Sequence, residues 1–220
     1  MFSGIVQSLG TIISISEAGE IVTLEVQATE DFTKDLKVGD SVAVDGVCLT
    51  LTKSESDRMF FDAVPETLSK TLIKSYTKGT KVNLEPSLKF NDSVGGHIVS
   101  GHIHTTGHVN QVEIHGDAKD IVIDAGADWG KFLFEKGYIG INGCSITLGE
   151  ITEGRFIVHL IPETLRATNL DNLVYGNQVN LEFDQNTITI VETTERILSC
   201  LLYTSPSPRD LSTSRMPSSA

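Results

Sequence analysis

The chain repeats itself, and this repeat limits its possible folds more than any other feature. Shifting the 220-residue sequence by 97 positions aligns its two halves without a gap. Four separated motifs then coincide: Ser3-Gly4 with Ser100-Gly101, Thr50-Leu51 with Thr147-Leu148, PETL at 65–68 with PETL at 162–165, and VNLE at 82–85 with VNLE at 179–182. This period is far longer than that of a solenoid, so each copy is expected to form a domain. The predicted domains are residues 1–97 and 98–187.

Each copy has the pattern of a small β-domain. Runs rich in β-branched and aromatic residues predict strands in the first copy at 11–16, 21–26, 41–44, 47–52, 58–64 and 81–84. Six short strands joined by tight turns favour a closed barrel. Short helices are expected at 31–36 and 128–135, and another from Pro65, since proline suits the first helical turn. The predicted fold class is all-β: two tandem, homologous, six-stranded Greek-key β-barrels with short helices and a C-terminal helix.

The end of the chain differs in composition from the rest. Residues 188–200 are predicted to form a C-terminal oligomerisation helix that is truncated where the composition changes. From residue 201 onward Ser, Thr and Pro dominate, which is typical of a disordered extension. Because the change is abrupt, we favour a second interpretation, in which residues 201–220 are translated sequencing-adapter read-through. They are left out of the fold prediction.

Charge and composition exclude several classes of function. Lys and Arg total 17 and Asp and Glu total 29, giving a net charge of −12, which disfavours binding to nucleic acid or anionic lipid. No apolar run approaches the roughly 20 residues of a membrane span, and the N-terminus lacks the pattern of a signal peptide. Three cysteines without a CxxC pair indicate a reducing compartment. We therefore expect a soluble, cytoplasmic protein.

The two copies differ where chemistry is expected. At the 97-residue offset Cys48 corresponds to Ser145, and Ile5 corresponds to His102. Two similar pockets with unlike polar groups suit an enzyme in which one pocket holds a donor and the other an acceptor. The alternative is that duplication merely enlarged a binding or scaffold protein.

Two glycine-flanked segments are candidate pocket walls. Cys48 and Thr50 fall on one face of a strand, and Ser145 and Thr147 do so in the second copy, because side chains alternate. Thiol and hydroxyl groups beside a glycine bend suit the close approach of a flat polar heterocycle. Cys48 alone is more typical of a small buried hydrophobic residue than of a nucleophile. Cys144 should face the core.

Four histidines lie close together in sequence at 97, 102, 104 and 108. The segment is expected to be a strand in which His102 and His104 share a face, with His108 four residues further along the same face. Imidazoles at such spacing can bind a metal, but no Cys or carboxylate motif accompanies them. General acid–base chemistry by His102, beside Gly101, is the favoured interpretation.

These motifs together resemble those of a known family. MFSGIV at 1–6, GVCLT at 46–50, GGH at 95–97, SGH at 100–102, GYIGINGCSITLGEIT at 137–152 and IPETLRATNL at 161–170 are similar to riboflavin synthase of the α-chain type. The resemblance covers about residues 1–198. It implies a transferase that converts two molecules of 6,7-dimethyl-8-ribityllumazine into riboflavin and a diaminopyrimidine by four-carbon transfer, without a metal or redox cofactor. It also implies a homotrimer with its site between subunits, and an association with lumazine synthase.

The resemblance also implies functional residues. Catalytic roles are implied for Cys48, His102, Ser145, Thr147 and Asp184. A first-copy pocket would be lined by Gly4, Ile5, Val6, Cys48, Leu49, Thr50, Asp62, Ala63, Val64, Pro65, Glu66, Thr67, Gly101, His102 and Ile103. A second-copy pocket would be lined by Lys136, Ser145, Ile146, Thr147, Ile161, Pro162, Glu163, Thr164, Leu165 and Arg166. The rival hypothesis is a non-catalytic lumazine- or flavin-binding antenna protein with the same double barrel.

Overall fold

The computed structural model describes residues 1–204, with side chains through residue 201. It contains two compact units, Met1–Gln185 and a second one from Asn186 onward. The first unit holds both copies of the repeat. Of the tail predicted at 201–220, the first four residues are helical and the others lie outside the described residues.

The first copy folds into a closed six-stranded barrel, as predicted. Its strands are β1 (Ser8–Ala18), β2 (Ile21–Gln27), β3 (Ser41–Val44), β4 (Val47–Glu55), β5 (Arg58–Ala63) and β6 (Lys81–Pro86). They pair in the order β1-β2-β5-β4-β3-β6, and β1 also pairs with β6 to close the barrel. Two short helices, α1 (Glu30–Thr33) and α2 (Pro65–Lys70), and a 3-10 turn at Leu72–Ser75 connect the strands.

The second copy repeats this plan with one strand divided. Its strands are β7 (Thr105–His115), β8 (Ala118–Asp124), β9 (Tyr138–Ile141), β10 (Cys144–Thr147), β11 (Ile151–Thr152), β12 (Arg155–Leu160) and β13 (Gln178–Phe183). Helix α3 (Pro162–Ala167) and 3-10 turns at Ala127–Phe132 and Asn169–Asn172 complete it. The pairing order is β10-β9-β13-β7-β8-β12-β11, which forms a curled sheet.

The expected second six-stranded barrel is therefore a seven-stranded sheet, because the counterpart of β4 is interrupted. β10 and β11 together occupy the positions equivalent to β4, with a gap at residues 148–150. Gly149 stands in this gap, and its N–H still donates to the Ile157 carbonyl oxygen at 2.8 Å. The chain between β10 and β11 is thus held to β12 by individual backbone hydrogen bonds and not by a regular strand ladder.

The strands form because their side chains alternate between core and solvent. In β2 the buried residues are Val22, Leu24 and Val26, and in β12 they are Phe156, Val158 and Leu160. This is the period of two expected for a sheet with one buried face. At about 25 cal/mol per Å² of apolar surface, the two cores supply the main stabilising term of the fold.

The short helices differ from the prediction in length and type. The helix expected at 31–36 is the single turn α1, and the one expected at 128–135 is the 3-10 turn Ala127–Phe132. Helix α2 begins at Pro65 as predicted, and α3 begins at its counterpart Pro162. Neither of the shorter segments offers enough residues for a stable amphipathic helix.

Helix α4 (Gln185–Thr204) begins at the last residue of the first unit, confirms the predicted helix and extends it beyond residues 188–200 at both ends. Several large apolar side chains on α4 are exposed, including Ile190, Ile197 and Leu201. In the part of the chain that the structure describes, no helix is both long and apolar enough to cross a membrane.

Candidate active site

The two copies meet through their equivalent hairpin turns. Asp45-Gly46 joins β3 to β4 and Asn142-Gly143 joins β9 to β10, all four residues with positive φ, as two-residue hairpins require. A Cβ on Gly46 would lie 2.6 Å from the Gly143 backbone nitrogen, and one on Gly143 would lie 2.7 Å from that of Gly46. Only glycine permits this approach, so the sequence fixes how closely the copies pack.

The segment before each first strand crosses to the other copy. Phe2 and Val99 form an isolated antiparallel bridge in which the N–H of each residue donates to the carbonyl oxygen of the other. Two residues later in each segment, Gly4 contacts the second copy and Gly101 contacts the first. The Ser145 N–H donates to the Gly4 carbonyl oxygen at 2.8 Å, and the Cys48 N–H donates to the Gly101 carbonyl oxygen at 2.9 Å. Each candidate pocket is therefore built from both copies.

Two buried carboxylates hold these crossing segments. Glu85 accepts hydrogen bonds from the Ser3 N–H at 2.6 Å and the Gly4 N–H at 3.1 Å. Its counterpart Glu182 accepts from Ser100 N–H at 2.6 Å and Gly101 N–H at 3.0 Å. Burial raises the pKa of both carboxyl groups, that of Glu182 to about 7. Both residues end the repeated VNLE motif, but that motif alone predicts no role for them.

The first pocket is a cavity of about 320 Å³ beside β4 and α2. Six residues predicted to line it do so, together with three that the sequence analysis missed, Val47, Lys70 and Thr71. The six are Cys48, Glu66, Thr67, Gly101, His102 and Ile103. Cys48 is half-buried and His102 is exposed, so both side chains can reach a ligand. We call this cavity the Cys48 pocket.

Other residues predicted for this pocket have different surroundings. Leu49 and Ala63 are buried in the barrel core. Asp62 accepts a hydrogen bond from the Thr23 hydroxyl at 2.7 Å. Val64 precedes α2 and Pro65 is its first residue, while Thr50 is an exposed residue of β4.

One assignment from the sequence is corrected by the crossing segments. Gly4 was expected beside Cys48, but it lies against Ser145, whose Cβ would be 2.6 Å from a Cβ added to Gly4. Ile5 follows it and faces Gly95, with Val6 next in the chain. The reason is the exchange of segments between copies, which places Gly4 against Ser145 of the second copy and residues 101–103 beside Cys48 of the first.

The residues equivalent to the Cys48 region in the second copy centre on Ser145, and we call this cluster the Ser145 site. The Ser145 hydroxyl lies 2.6 Å from His97 Nδ1, and the His97 ring stacks on Tyr138 with ring centroids 5.3 Å apart. A Cβ on Gly96 would lie 2.8 Å from the Ser145 hydroxyl oxygen, so the Gly-Gly-His segment packs directly on this serine. Burial lowers the pKa of His97, and the negative charge of Asp184 partly offsets this effect.

The remaining residues predicted for the second pocket lie on three elements. Ile146 is buried, and Thr147 is exposed opposite Tyr138 in the β9–β10 ladder. Lys136 has a φ of +64° and its N–H donates to the Leu148 carbonyl oxygen. Ile161 is exposed before α3, which comprises Pro162, Glu163, Thr164, Leu165, Arg166 and Ala167. Within it Arg166 pairs with Glu163, while Leu165 is buried.

The expectation that His102 and His104 share a strand face is wrong, because β7 begins only at Thr105. His104 packs edge-on against Trp129 and Phe183, whereas His97 contacts Ser145. Among the described residues, no group of three or more His, Cys, Asp or Glu side chains is arranged to hold a metal ion. Cys144 is buried as predicted, and its burial raises the pKa of its thiol to about 12.

Both copies match one known domain family. The Lumazine binding domain matches residues 3–87 and again residues 100–184. The two matches start 97 residues apart, which is the offset of the sequence repeat. The fold and the two sites therefore define a protein made of two lumazine-binding domains.

Curated relatives specify the family further. Riboflavin synthase of Chlamydia pneumoniae is 41% identical over 199 residues, covering 90% of this chain and 98% of the relative. Riboflavin synthase of Escherichia coli strain K12 is 40% identical over 200 residues, covering 90% of this chain and 94% of that relative. Riboflavin synthase of Bacillus subtilis strain 168 is 36% identical over 184 residues, covering 84% of this chain and 85% of that relative. The chain belongs to the riboflavin synthase family of enzymes.

Solved structures give the same fold. LumP complexed with riboflavin is similar with a TM-score of 0.79 and 27% identity, covering 83% of this chain and 99% of that chain. LumP complexed with 6,7-dimethyl-8-(1'-D-ribityl) lumazine has a TM-score of 0.76 at the same identity and coverage. The two-domain fold is thus shared with LumP, which has been solved in complex with each of these ligands.

Proposed function

We propose that the chain catalyses the dismutation of two molecules of 6,7-dimethyl-8-ribityllumazine into riboflavin and 5-amino-6-(D-ribitylamino)uracil, the last step of riboflavin biosynthesis. The observation that carries the proposal is that equivalent positions of the two copies hold unlike reactive groups. One contains Cys48 and His102, and the other contains Ser145 beside His97. A reaction between two copies of one molecule needs two similar sites with different chemical tasks.

We assign proton removal from the C7 methyl group of the donor lumazine to the Ser145 site. Its burial keeps His97 neutral near pH 7, and a neutral imidazole 2.6 Å from the Ser145 hydroxyl can accept a proton through it. Asp184 lies close enough for its charge to favour the imidazolium that forms, and Thr147 shares the strand face of Ser145. The resulting carbanion spreads into the ring, where preorganised hydrogen-bond donors stabilise it.

The Cys48 pocket is assigned to the acceptor lumazine. The Cys48 thiol and the His102 imidazole both line it and would act there as nucleophile or hydrogen-bond partner. The remaining residues of both predicted binding sets would position the rings and the ribityl chains. Holding two flat substrates face to face supplies several kcal/mol of the barrier reduction.

The proposal includes a cytoplasmic homotrimer whose productive site joins the Cys48 pocket of one subunit to the Ser145 site of the next. The exposed apolar residues of α4 support an oligomer, because Ile190, Ile197 and Leu201 share one helix face at a spacing of seven and four residues. Cys48, Cys144 and Cys200 form no disulfide among the described residues, which supports a reducing compartment. Association with lumazine synthase stays a prediction from the resemblance.

The alternative is a non-catalytic antenna protein, which the structural likeness to LumP favours. The full chain, incubated without oxygen with 6,7-dimethyl-8-ribityllumazine as the sole substrate, distinguishes the two. Our proposal predicts one riboflavin for every two lumazines consumed, measured by absorbance and chromatography. Tight binding of lumazine without any riboflavin formed would support the antenna and overturn the enzyme.

A further inference from the structure

The segment beside the Cys48 pocket is held from both sides at Gly101. The Gly101 N–H donates to the Glu182 carboxylate at 3.0 Å, and the Gly101 carbonyl oxygen accepts from the Cys48 N–H at 2.9 Å. The neighbouring Ser100 N–H donates to the same carboxylate at 2.6 Å. Gly101 and His102 both line the Cys48 pocket. Glu182 is thus joined to Cys48 through one glycine, and it holds the backbone that leads directly into His102.

The same arrangement occurs at the Ser145 site. The Gly4 N–H donates to the Glu85 carboxylate at 3.1 Å, and the Gly4 carbonyl oxygen accepts from the Ser145 N–H at 2.8 Å. The Ser3 N–H and the Ser3 hydroxyl donate to Glu85 at 2.6 Å and 2.7 Å. Glu85 is therefore joined to Ser145 in the same way as Glu182 is joined to Cys48.

Both carboxylates are suited to holding a backbone segment in one position. Glu85 is 3% exposed and Glu182 is 5% exposed, and burial raises the pKa of each, that of Glu182 to about 7. The N–H groups of Ser100, Gly101 and His102 oppose this effect at Glu182, because they favour the charged form. A hydrogen bond from an N–H to a carboxylate is roughly twice as strong as one to a neutral acceptor. The charge of each carboxylate therefore stabilises the position of its segment.

Each carboxylate is linked to one site by its strand and to the other site by its hydrogen bonds. Glu182 on β13 pairs with Gly140 on β9, and Gly140 pairs with Ser145 on β10. The hydrogen bonds of Glu182, in contrast, lead to the Cys48 pocket. Glu85 shows the converse, since its strand ladder leads to Cys48 and its hydrogen bonds lead to Ser145. Local strand packing and the crossing segments thus predict effects at opposite sites.

We propose that Glu182 is a positioning residue for the acceptor half of the reaction and Glu85 is one for the donor half, each acting through its glycine on the site of the other copy. The inference rests on the proposed function, which assigns the acceptor to the Cys48 pocket and proton removal to the Ser145 site. Displacing a reactive group by about 1 Å can lower a rate about 100-fold. Loss of one carboxylate should therefore impair one half of the reaction first.

Hydrogen exchange in heavy water measures the donor half alone. The C7 methyl group of 6,7-dimethyl-8-ribityllumazine gives up a proton to the Ser145 site and takes back a deuteron from solvent, which NMR detects as loss of the methyl signal. Riboflavin forms only if the acceptor half also operates. Both rates are measured on the full chain and on glutamine variants. Glutamine keeps the size of glutamate but removes the charge and replaces one accepting oxygen by an NH₂ group.

The two variants should differ in methyl exchange. In Glu182→Gln we expect riboflavin formation to fall about tenfold or more while methyl exchange stays within about twofold of the unchanged chain. In Glu85→Gln both rates should fall about tenfold or more, because proton removal precedes the transfer. Retained exchange in Glu182→Gln also shows that the second copy is folded. If Glu182→Gln fails to fold, Glu182→Asp takes its place, since it keeps the charge but withdraws it from the N–H groups by one methylene.

Glu25→Gln is the matched control. The Glu25 carboxylate also accepts two side-chain hydrogen bonds, from Ser14 at 2.6 Å and from Arg58 at 2.7 Å. These partners belong to β1 and β5 and not to a crossing segment. Both rates should therefore match those of the unchanged chain.

Ser145→Ala separates failure of this inference from failure of the proposed function. The proposed function requires Ser145→Ala to lose methyl exchange, so exchange that persists there would overturn the donor assignment and this inference with it. If Ser145→Ala loses exchange, three results overturn this inference alone. These are unchanged riboflavin formation in Glu182→Gln, exchange that falls in Glu182→Gln as far as riboflavin formation does, and exchange that is retained in Glu85→Gln.

Discussion

The reactive residues of the two sites differ although their backbones are equivalent. Cys48 and Ser145 occupy matching strand positions, and each N–H donates to a glycine carbonyl of the other copy. The histidines differ more, because His97 contacts Ser145 directly while His102 is an exposed residue at the rim of the Cys48 pocket. The two copies therefore share the same backbone hydrogen bonds at these positions but differ in their reactive side chains.

Substitutions at these residues should separate chemistry from packing. Ser145→Ala and His102→Gln are each expected to lower kcat by about 100-fold or more, because Ser145 relays the donor proton to His97 and His102 contacts the acceptor. Cys144→Val is the control, because Cys144 is buried next to Ser145 and its counterpart in the first copy is Val47. It should change kcat less than about threefold. Equal losses from all three would contradict the assignment.

At the level of the element, the crossing segments couple the fold to the sites. Gly101 has a φ of +81°, and a Cβ there would lie 2.5 Å from the Cys48 Cβ. The close approach and the positive φ both require glycine. The strand that carries Cys48 and the segment that carries His102 are thus held in contact by one residue without a side chain.

Gly101→Ala should therefore destabilise the chain by at least about 2 kcal/mol more than Gly116→Ala, as measured by urea unfolding. Gly116 is a suitable control because it also has a positive φ, +62°, but has open space where a Cβ would be. The control should cost about 1 kcal/mol from backbone strain alone. Similar losses for both variants would show that the contact with Cys48 does not constrain the fold.

The strands were predictable from the sequence because their period of two is a local signal. Ser41–Val44 agrees with its predicted bounds residue for residue, and the Asp45-Gly46 hairpin follows from turn chemistry. The interruption near Gly149 was not predictable, since β4 crosses the equivalent point with Thr52 in a continuous strand. No strand forms around His102, although one was predicted. The backbone of the preceding Gly101 hydrogen-bonds instead to Glu182 and Cys48, which are distant in sequence.

Across the whole molecule, a buried polar network joins the two copies. Asp45 accepts hydrogen bonds from the Asn83 N–H at 2.7 Å, the Asn169 side-chain amide at 2.8 Å and the Tyr76 hydroxyl at 2.8 Å. Its counterpart in the second copy is Asn142, which carries no charge. Burial raises the pKa of Asp45 to about 7 despite these donors.

This carboxyl group should make stability depend on pH. Because the folded pKa lies above the ordinary value of 3.8, the folded state binds the proton more tightly, and stability falls as pH rises from about 4 to about 7. Asp45→Asn lacks this titrating group. Between pH about 4 and about 7, its free energy of unfolding should therefore fall by roughly 3 kcal/mol less than that of the unchanged chain. Asp117→Asn, at an exposed aspartate, is the control. Parallel curves for the unchanged chain and Asp45→Asn would contradict this account.

The whole-molecule arrangement also explains which site residues the sequence could supply. The residue patterns alone singled out Cys48 and His102 of the Cys48 pocket, and the other predicted residues of its lining came from the resemblance to riboflavin synthase. They could not show that Gly4 lies with Ser145, since that contact joins residues 141 positions apart. Lys70 was missed because nothing in its local pattern distinguishes it from a solvent-exposed helix residue.

We propose that the two copies perform different tasks in one reaction, across a subunit boundary. Co-expression of His102→Gln chains with Ser145→Ala chains, followed by measurement of riboflavin formation from lumazine, tests this division of tasks. Each variant alone should be nearly inactive, while mixed oligomers should contain sites that combine an intact Cys48 pocket with an intact Ser145 site. We predict about tenfold or more activity over either variant alone. Activity no greater than that of the separate variants would contradict the claim.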